Sequence, residues 1–479
     1  MEKKIQDIKE NKHRRSLGIH LTSKDIFLKY IFPEIETKLW DFTWIDLFAG
    51  QGNLILPILD SIPIEQRLQF FKEHIFLSDV QSEMVYKCIN NAIDFGIPPE
   101  IAEENIQLRD NLESFPKFLK SSKFPLFHIT NPPYLYLGYI RKHKETQKHL
   151  TLFKGKNNGY QDLYQIAMIN DLRNEIENII YIIPSNFLFG ASVSNKFRKD
   201  FLNYYKISKM IIFEIKIFEY TGTNICIGFF KRKGEPKSEK VEFNGVKIRK
   251  QNDVIEKRYI LKPEFKYRAG FEFEEFLKRY YAQKPLNVNY YLLRDKVMRN
   301  QGKNEIIAID ANNYQNSEYK RLILHVNDNF KKKIMSNILY VRTVDTGSYN
   351  GRVGLGIIAE DFKVDGIYVS GNTYRTHPIQ LFIEPEMILN DQKLLKDYFN
   401  FILEAFRAKL DSEFLTTYKY SDADYTRKYL GLTQARKLIQ TFPYSVIDEK
   451  SKIKFRDIVD KKDFNRLLKF LEASKDKSN

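Results

Sequence analysis

From the amino terminus to about residue 231, short β-branched runs alternate with amphipathic stretches, and this alternation constrains the chain more than any other feature. Strands that recur after helix-length spacers pair in parallel through crossovers, so the pattern predicts an α/β domain on a mainly parallel sheet. Seven strands are expected, at Trp44–Phe48, Ile75–Ser78, Ile106–Leu108, Leu126–Thr130, Ile179–Ile183, Met210–Ile215 and Ile225–Phe230. The stretch 231–240, Lys-Arg-Lys-Gly-Glu-Pro-Lys-Ser-Glu-Lys, is charged and turn-forming. It sets a domain boundary there, with a first domain over 1–240 and a second over 241–479. The second shows glycine-punctuated strand-like segments from Tyr340 to Ile383 and then helices, so a mixed α+β domain is expected. Leu395, Tyr398, Phe399, Ile402, Leu403 and Phe406 fall at helical spacing and predict a core face.

Thirty-seven Phe and 29 Tyr supply ample core for an ordered fold, and two cysteines, Cys88 and Cys226, are too few for a disulfide framework or a metal cage. No metal is expected. The longest apolar runs are strand-sized, which predicts no membrane span, and the basic start lacks the apolar core of a secretion signal. A cytoplasmic monomer follows as the expectation. The formal net charge of +16 favours a polyanionic partner, because each neutralised phosphate releases counterions. A generally lysine-rich composition would give the same excess.

The first strand runs into Asp46-Leu47-Phe48-Ala49-Gly50-Gln51-Gly52, a small-residue turn followed by a helix. Gly50 and Gly52 permit backbone conformations and close ligand approach that a Cβ would block, and Asp46 can accept hydrogen bonds from a ligand. The spacing is not G-x-G-x-x-G, which disfavours a dinucleotide. Asp79 ends the second strand and Asp110 follows the third, and acids at the carboxyl ends of adjacent parallel strands face one crevice. Asp79 suits a pair of ribose hydroxyls and Asp110 an adenine amino group. Each could instead cap a following helix. Gly52 and Asp79 lie 27 positions apart, against about 20 in an ordinary strand–helix–strand cofactor unit. The extra length falls in 62–72.

After the fourth strand comes Asn131-Pro132-Pro133-Tyr134. Two consecutive prolines remove two backbone donors and stiffen the turn. Such rigidity has a chemical use, because an aromatic amino nitrogen is a poor nucleophile while its lone pair is delocalised. If the Asn131 side-chain oxygen and the Pro132 carbonyl accept its two N–H bonds, the lone pair can be aimed at a methyl sulfonium. Tyr134 would stack on the base.

On these motifs, residues 16–230 resemble the gamma class of DNA adenine-N6 methyltransferases of type II restriction-modification systems. The resemblance implies a seven-stranded Rossmann-like class I methyltransferase domain with S-adenosylmethionine as cofactor, followed by a target-recognition domain that binds double-stranded DNA. A cognate restriction endonuclease is the further partner it implies. Thr22, in Gly18-Ile19-His20-Leu21-Thr22-Ser23, is similar to the family segment over the methionine moiety, though Ser23 stands where proline is usual. Asp162-Leu163-Tyr164 resembles the motif beside the cofactor adenine, and Pro184-Ser185-Asn186-Phe187 the fifth-strand motif. Phe218, with Tyr220 as fallback, resembles the aromatic residue that stacks on the flipped base.

In the second domain, Lys331–Lys333, Arg342, Arg352, Arg375, Arg427, Lys428, Arg436 and Lys437 could contact phosphates. Loops 345–352 and 370–377 carry the Arg and Asn types that read base edges. Three alternatives stand beside this reading. An RNA adenine methyltransferase has the same chemistry and charge. A protein-glutamine N5 methyltransferase poses the same lone-pair problem, but such chains are much shorter. A degenerate, non-catalytic DNA-binding subunit is disfavoured by the intact Asn131–Tyr134, Gly50 and Gly52.

Overall fold

Nine strands form one sheet in the first part of the chain: β1 (Thr43–Asp46), β2 (Ile75–Asp79), β3 (Ile106–Leu108), β4 (Leu126–Thr130), β5 (Asn178–Pro184), β6 (Tyr205–Phe213), β7 (Ile225–Arg232), β8 (Val241–Ile248) and β9 (Val254–Leu261). Their order is β3-β2-β1-β4-β5-β7-β6-β8-β9. The structure, a computed structural model, describes residues 22–218, 224–249, 253–345, 351–371, 377–420, 426–444 and 448–476.

The seven expected strands are all present, and the five from β3 to β5 in the sheet order pair in parallel. β7 inserts antiparallel between β5 and β6. The expected count of seven is nevertheless exceeded. β8 pairs in parallel with β6, and β9 runs antiparallel to β8. Burial alternates along much of both, as in a half-solvated strand. This hairpin also moves the boundary: the chain divides into one compact unit of residues 1–269 and 419–426 and a second of 270–418 and 427–479. The charged stretch after β7 is thus a connection within the first unit.

β1 and β5 are buried nearly throughout, as strands covered on both faces must be. Helices Arg67–His74, Ser82–Asp94, Leu163–Arg173 and Asn195–Leu202 bury Phe70, Phe71, Cys88, Ile166, Phe197 and Phe201 in the core cluster that includes these strands. Cys88 and Cys226 are buried free thiols. The extra residues between Gly52 and Asp79 form short 3₁₀ turns at Leu56–Ser61 and Ile64–Gln66 before the helix Arg67–His74, with Leu56, Ile58 and Leu59 in the core.

Arg198 lies fully buried beside the turn that follows β5. Its guanidinium donates to the carbonyls of Phe187 (2.8 Å), Gly190 (2.8 Å) and Lys266 (2.9 Å) and to Asn195 Oδ1 (2.8 Å). A buried cation is tolerated here because its donors meet carbonyl oxygens instead of water.

The second unit combines two four-stranded sheets with helices. One orders Asn287–Tyr290, Ile379–Glu384, Leu339–Arg342 and Gly354–Ile357, the other Leu292–Leu293, Gly366–Val369, Asn304–Gln315 and Glu318–Val326. The stripe of Leu395, Tyr398, Phe399, Ile402, Leu403 and Phe406 is buried on the helix Leu389–Leu410, as its spacing predicts. Among the described residues no helix is long and apolar enough to cross a membrane.

Replacing Arg198 by Met leaves several buried carbonyls without donors, at about 1–3 kcal/mol each. Arg198→Met is therefore expected to destabilise the first unit by at least ~3 kcal/mol in chemical denaturation, and a change below ~1 kcal/mol would contradict the account.

Candidate active site

The carboxyl ends of β1, β2, β3 and β4 open into one cleft of about 220 Å³. Thr22, Asp46, Phe48, Ala49, Gly50, Asp79, Asp110, Asn131 and Pro133 all line it. Gly52, Pro132, Tyr134 and Phe218, the other residues singled out in the sequence, do not. Gly52 has φ +82°, and a Cβ there would fall 2.6 Å from Leu56 Cδ1 and 2.8 Å from Cys88 Sγ. It shapes the loop from behind.

Three of the acids use one local device. Asp46 accepts the Phe48 amide (3.0 Å), Asp79 the Gln81 amide (2.9 Å) and Asp110 the Leu112 amide (3.1 Å). Each thus closes a turn of its own loop two residues on. Helix capping, the alternative in the sequence, is not what they do: the helix after β2 has Gln81 at its N-cap without a side-chain cap, and turn closure and cleft lining coexist because a carboxylate has acceptor sites to spare. Asp79 also accepts the Gly50 amide at 2.9 Å, which ties the end of β2 to the glycine loop despite the long intervening segment. Burial pushes the Asp46 carboxyl up to about 6, against the hydrogen bonds from Thr130 (2.5 Å) and Phe48. Burial likewise raises Asp79.

Asn131 is fixed on both sides. Its amide nitrogen donates to Thr22 Oγ1 at 2.9 Å, and its oxygen meets the Tyr134 hydroxyl. That hydroxyl also reaches the Ile182 carbonyl at 2.7 Å, with the Tyr134 ring buried. Asn53 Nδ2 donates to the Thr22 carbonyl (2.9 Å), so Thr22 links the glycine loop to the Asn-Pro-Pro-Tyr turn.

Sequence reasoning missed the frame beneath. The Leu47 amide donates to His128 Nε2 (3.1 Å), so the imidazole carries its proton on Nδ1 and donates to Asp171 (2.6 Å), which also accepts from Tyr181 (2.7 Å). Asp171 sits on the helix Leu163–Arg173, whose other polar groups serve the rim. Asp162, at its start, accepts the Leu135 amide at 2.9 Å, and the Leu163 amide bonds Leu135 across the bridge between Tyr136 and Asp162. Asn170 donates to the carbonyls of Asn111 and Leu112, and Arg173 to Asn157. Lys148 and His149, from the 3₁₀ segment Lys144–Phe153, complete one wall of the cleft, and burial lowers the His149 imidazole from its ordinary value. No local pattern marks these residues; only their convergence does.

Other sequence candidates fall elsewhere. Phe218 is buried in the core cluster of the first unit, while Gly18–Leu21 and Tyr220 lie outside the described residues. In the second unit Asp345 pairs with Arg407 (2.8 Å) and Arg352 with Glu404 (3.0 Å), so both ends of the loop 345–352 are tied to the helix Leu389–Leu410. Residues 346–350 and 372–376, the centres of the two candidate base-reading loops, lie outside the described residues.

Residues 17–218 match the Eco57I restriction-modification methylase family. The matched residues include every residue that lines the cleft. The Type IIL restriction-modification enzyme MmeI, solved in complex with DNA, is 14% identical with a TM-score of 0.54, covering 93% of this chain and 71% of that one. The type IIG restriction endonuclease BpuSI is 12% identical, with a TM-score of 0.41 over 93% of this chain and 62% of its own. For the M protein of the type I restriction enzyme EcoKI the figures are 12%, 0.35, 66% and 64%. At 14% identity the MmeI likeness is one of fold. The chain spans less than two thirds of the length of most such relatives, and 30% of the Type ISP enzyme LlaGI. No curated protein matches the chain.

Burial raises Asp162 from 3.8 to about 7. The folded chain thus keeps a proton that the unfolded chain gives up, and the stability gained is full below about 3.8 and lost as the pH rises through about 7. Asp162→Asn keeps an oxygen for the Leu135 amide and removes this titration. Its melting temperature is expected to fall less than the parent's between pH 4 and 7.5, and equal slopes would exclude Asp162 as the titrating group.

Proposed function

We propose that the chain is a gamma-class DNA methyltransferase of a restriction-modification system, which transfers a methyl group from S-adenosylmethionine to N6 of an adenine extruded from duplex DNA. One observation carries the reading: Asn131, held rigidly at the end of β4, opens into the same cleft as the acids at the ends of β1, β2 and β3. The donor set suits the cofactor. Asp79 can take ribose hydroxyls and Asp110 an adenine amino group, while Val80, Met84, Leu112 and Leu163 offer apolar surface to a base. The carboxylates suit a ligand bearing an ammonium and a sulfonium. When bound, S-adenosylmethionine supplies a methyl group activated on that sulfonium.

The chain's own part is to position and polarise. Thr22 fixes the rotation of the Asn131 amide, and the amide oxygen and the Pro132 carbonyl serve as the pair of acceptors in this proposal. A carboxamide oxygen has two lone pairs and can accept from both Tyr134 and a substrate amino group. Withdrawing both N–H bonds from the ring plane localises the nitrogen lone pair. Base stacking falls to Tyr134 and Phe218, both of which are buried outside the cleft lining in this structure and must be uncovered when DNA binds. Extruding a base costs a few kcal/mol, which stacking at about 1–3 kcal/mol per base offsets in large part.

Duplex DNA as the partner is supported by the net charge of +16 and by the DNA complex in which MmeI was solved. The second unit is then the target-recognition domain. A partner nuclease and N6 as the methylated position belong to the same proposal.

Asn131→Ala is expected to lower methyl transfer by at least ~10²-fold, the size typical of removing one preorganised acceptor or donor, while cofactor affinity stays within a few-fold. Turnover on duplex DNA with N6-methyladenine detected by mass spectrometry checks this, and near-normal turnover would refute the lone-pair mechanism. Phe218→Ala is expected to reduce the fluorescence rise of 2-aminopurine placed at the target; an unchanged rise and rate would remove Phe218 from the site.

A further inference from the structure

His149 belongs to a segment between the Asn-Pro-Pro-Tyr and Asp-Leu-Tyr motifs to which neither motif assigns a role. The segment Lys144–Phe153 is well anchored. Thr146 is fully buried and donates to the His143 carbonyl (2.8 Å), Phe153 is buried, and Asn157 donates back to the Leu152 carbonyl (2.7 Å) while accepting from Arg173 of the helix Leu163–Arg173. This anchoring presents a half-buried imidazole to the cleft, near enough to Asp110 to feel its charge. With Phe48, which belongs to the β1 end, His149 is one of two aromatic rings lining the cleft among the described residues. At the β2 and β3 ends the same cleft is lined by Val80, 58% exposed for an apolar residue, and by Leu112.

From this placement we infer that His149 is a cofactor-positioning residue whose ring stacks on the nucleobase that Asp110 engages. The inference rests on reading the cleft as a nucleoside site. A planar ring held by a braced segment loses little freedom on binding, so its contact adds to affinity instead of ordering the wall. The methyl-transfer step lies at Asn131, so the effect belongs to cofactor binding.

The test uses the full chain, with S-adenosylhomocysteine as the calorimetric probe and steady-state methylation as the second readout. His149→Ala is expected to weaken binding roughly tenfold, the lower part of the range for losing one stacked base. His149→Phe is expected to restore it to within about twofold. The loss should fall on KM for the cofactor and not on kcat. Should the alanine variant not fold, His149→Gln keeps bulk without a ring and carries the same expectation. Unchanged affinity in the Ala or Gln variant, failure of Phe to restore it, or a fall in kcat with KM unaltered would each overturn the role of His149 while leaving the cleft reading intact. If the unaltered chain binds no S-adenosylhomocysteine, the cleft reading falls and this inference with it.

Discussion

The hydrogen bond from the Leu47 amide to His128 Nε2 is the constraint on which the rest of the site depends. It joins the end of β1 to the interior of β4, and through Asp171 it extends to Tyr181 on β5 and to the helix packed behind. His128, Asp171 and Tyr181 are all essentially inaccessible to water. A buried polar network of this kind is costly unless every member is satisfied, and when satisfied it admits one geometry. The two loops that matter, one bearing Gly50 and the other Asn131, spring from strand ends held by this network. Their spacing is therefore set in the core and not by the loops themselves.

Much of this could be read in the sequence because it is written locally. Most of the seven strands are short apolar runs, and the acids at β1 and β2 are the terminal residues of their strands, so their convergence follows from parallel pairing alone. The hairpin of β8 and β9 escaped notice because the charged run Glu256-Lys257-Arg258 and the preceding Lys-Arg-Lys stretch look like linker. In three dimensions burial alternates along both strands, the period of a strand with one solvated face. The polar frame was invisible for another reason. His128 and Asp171 lie 43 positions apart, and nothing in either neighbourhood announces the other. Arg352 likewise reads as a candidate for DNA contact in the sequence and pairs with Glu404 in the fold.

A second economy appears at the strand ends. Asp46, Asp79 and Asp110 each fold their own loop by the same two-residue turn while one carboxylate edge borders the cleft. A structural role does not exclude the proposed binding role at these positions. If the proposed cofactor binds here, loss of any one acid would disturb the loop as well as the ligand contact, and the two contributions are separable only by comparing fold stability with affinity.

The helix Leu163–Arg173 reaches the Asn-Pro-Pro-Tyr turn through Asp162, the loop after β3 through Asn170, the core network through Asp171 and the tail of the cleft wall through Arg173. Four segments distant in sequence thus share one scaffold. Chimaeras that transplant any single loop from a distant relative would inherit a mismatched seat, whereas exchange of the block from 131 to 173 moves the turn, the wall and most of their common support together. Drift in this part of the molecule should accordingly be concerted, with the helix and its dependants changing as a set.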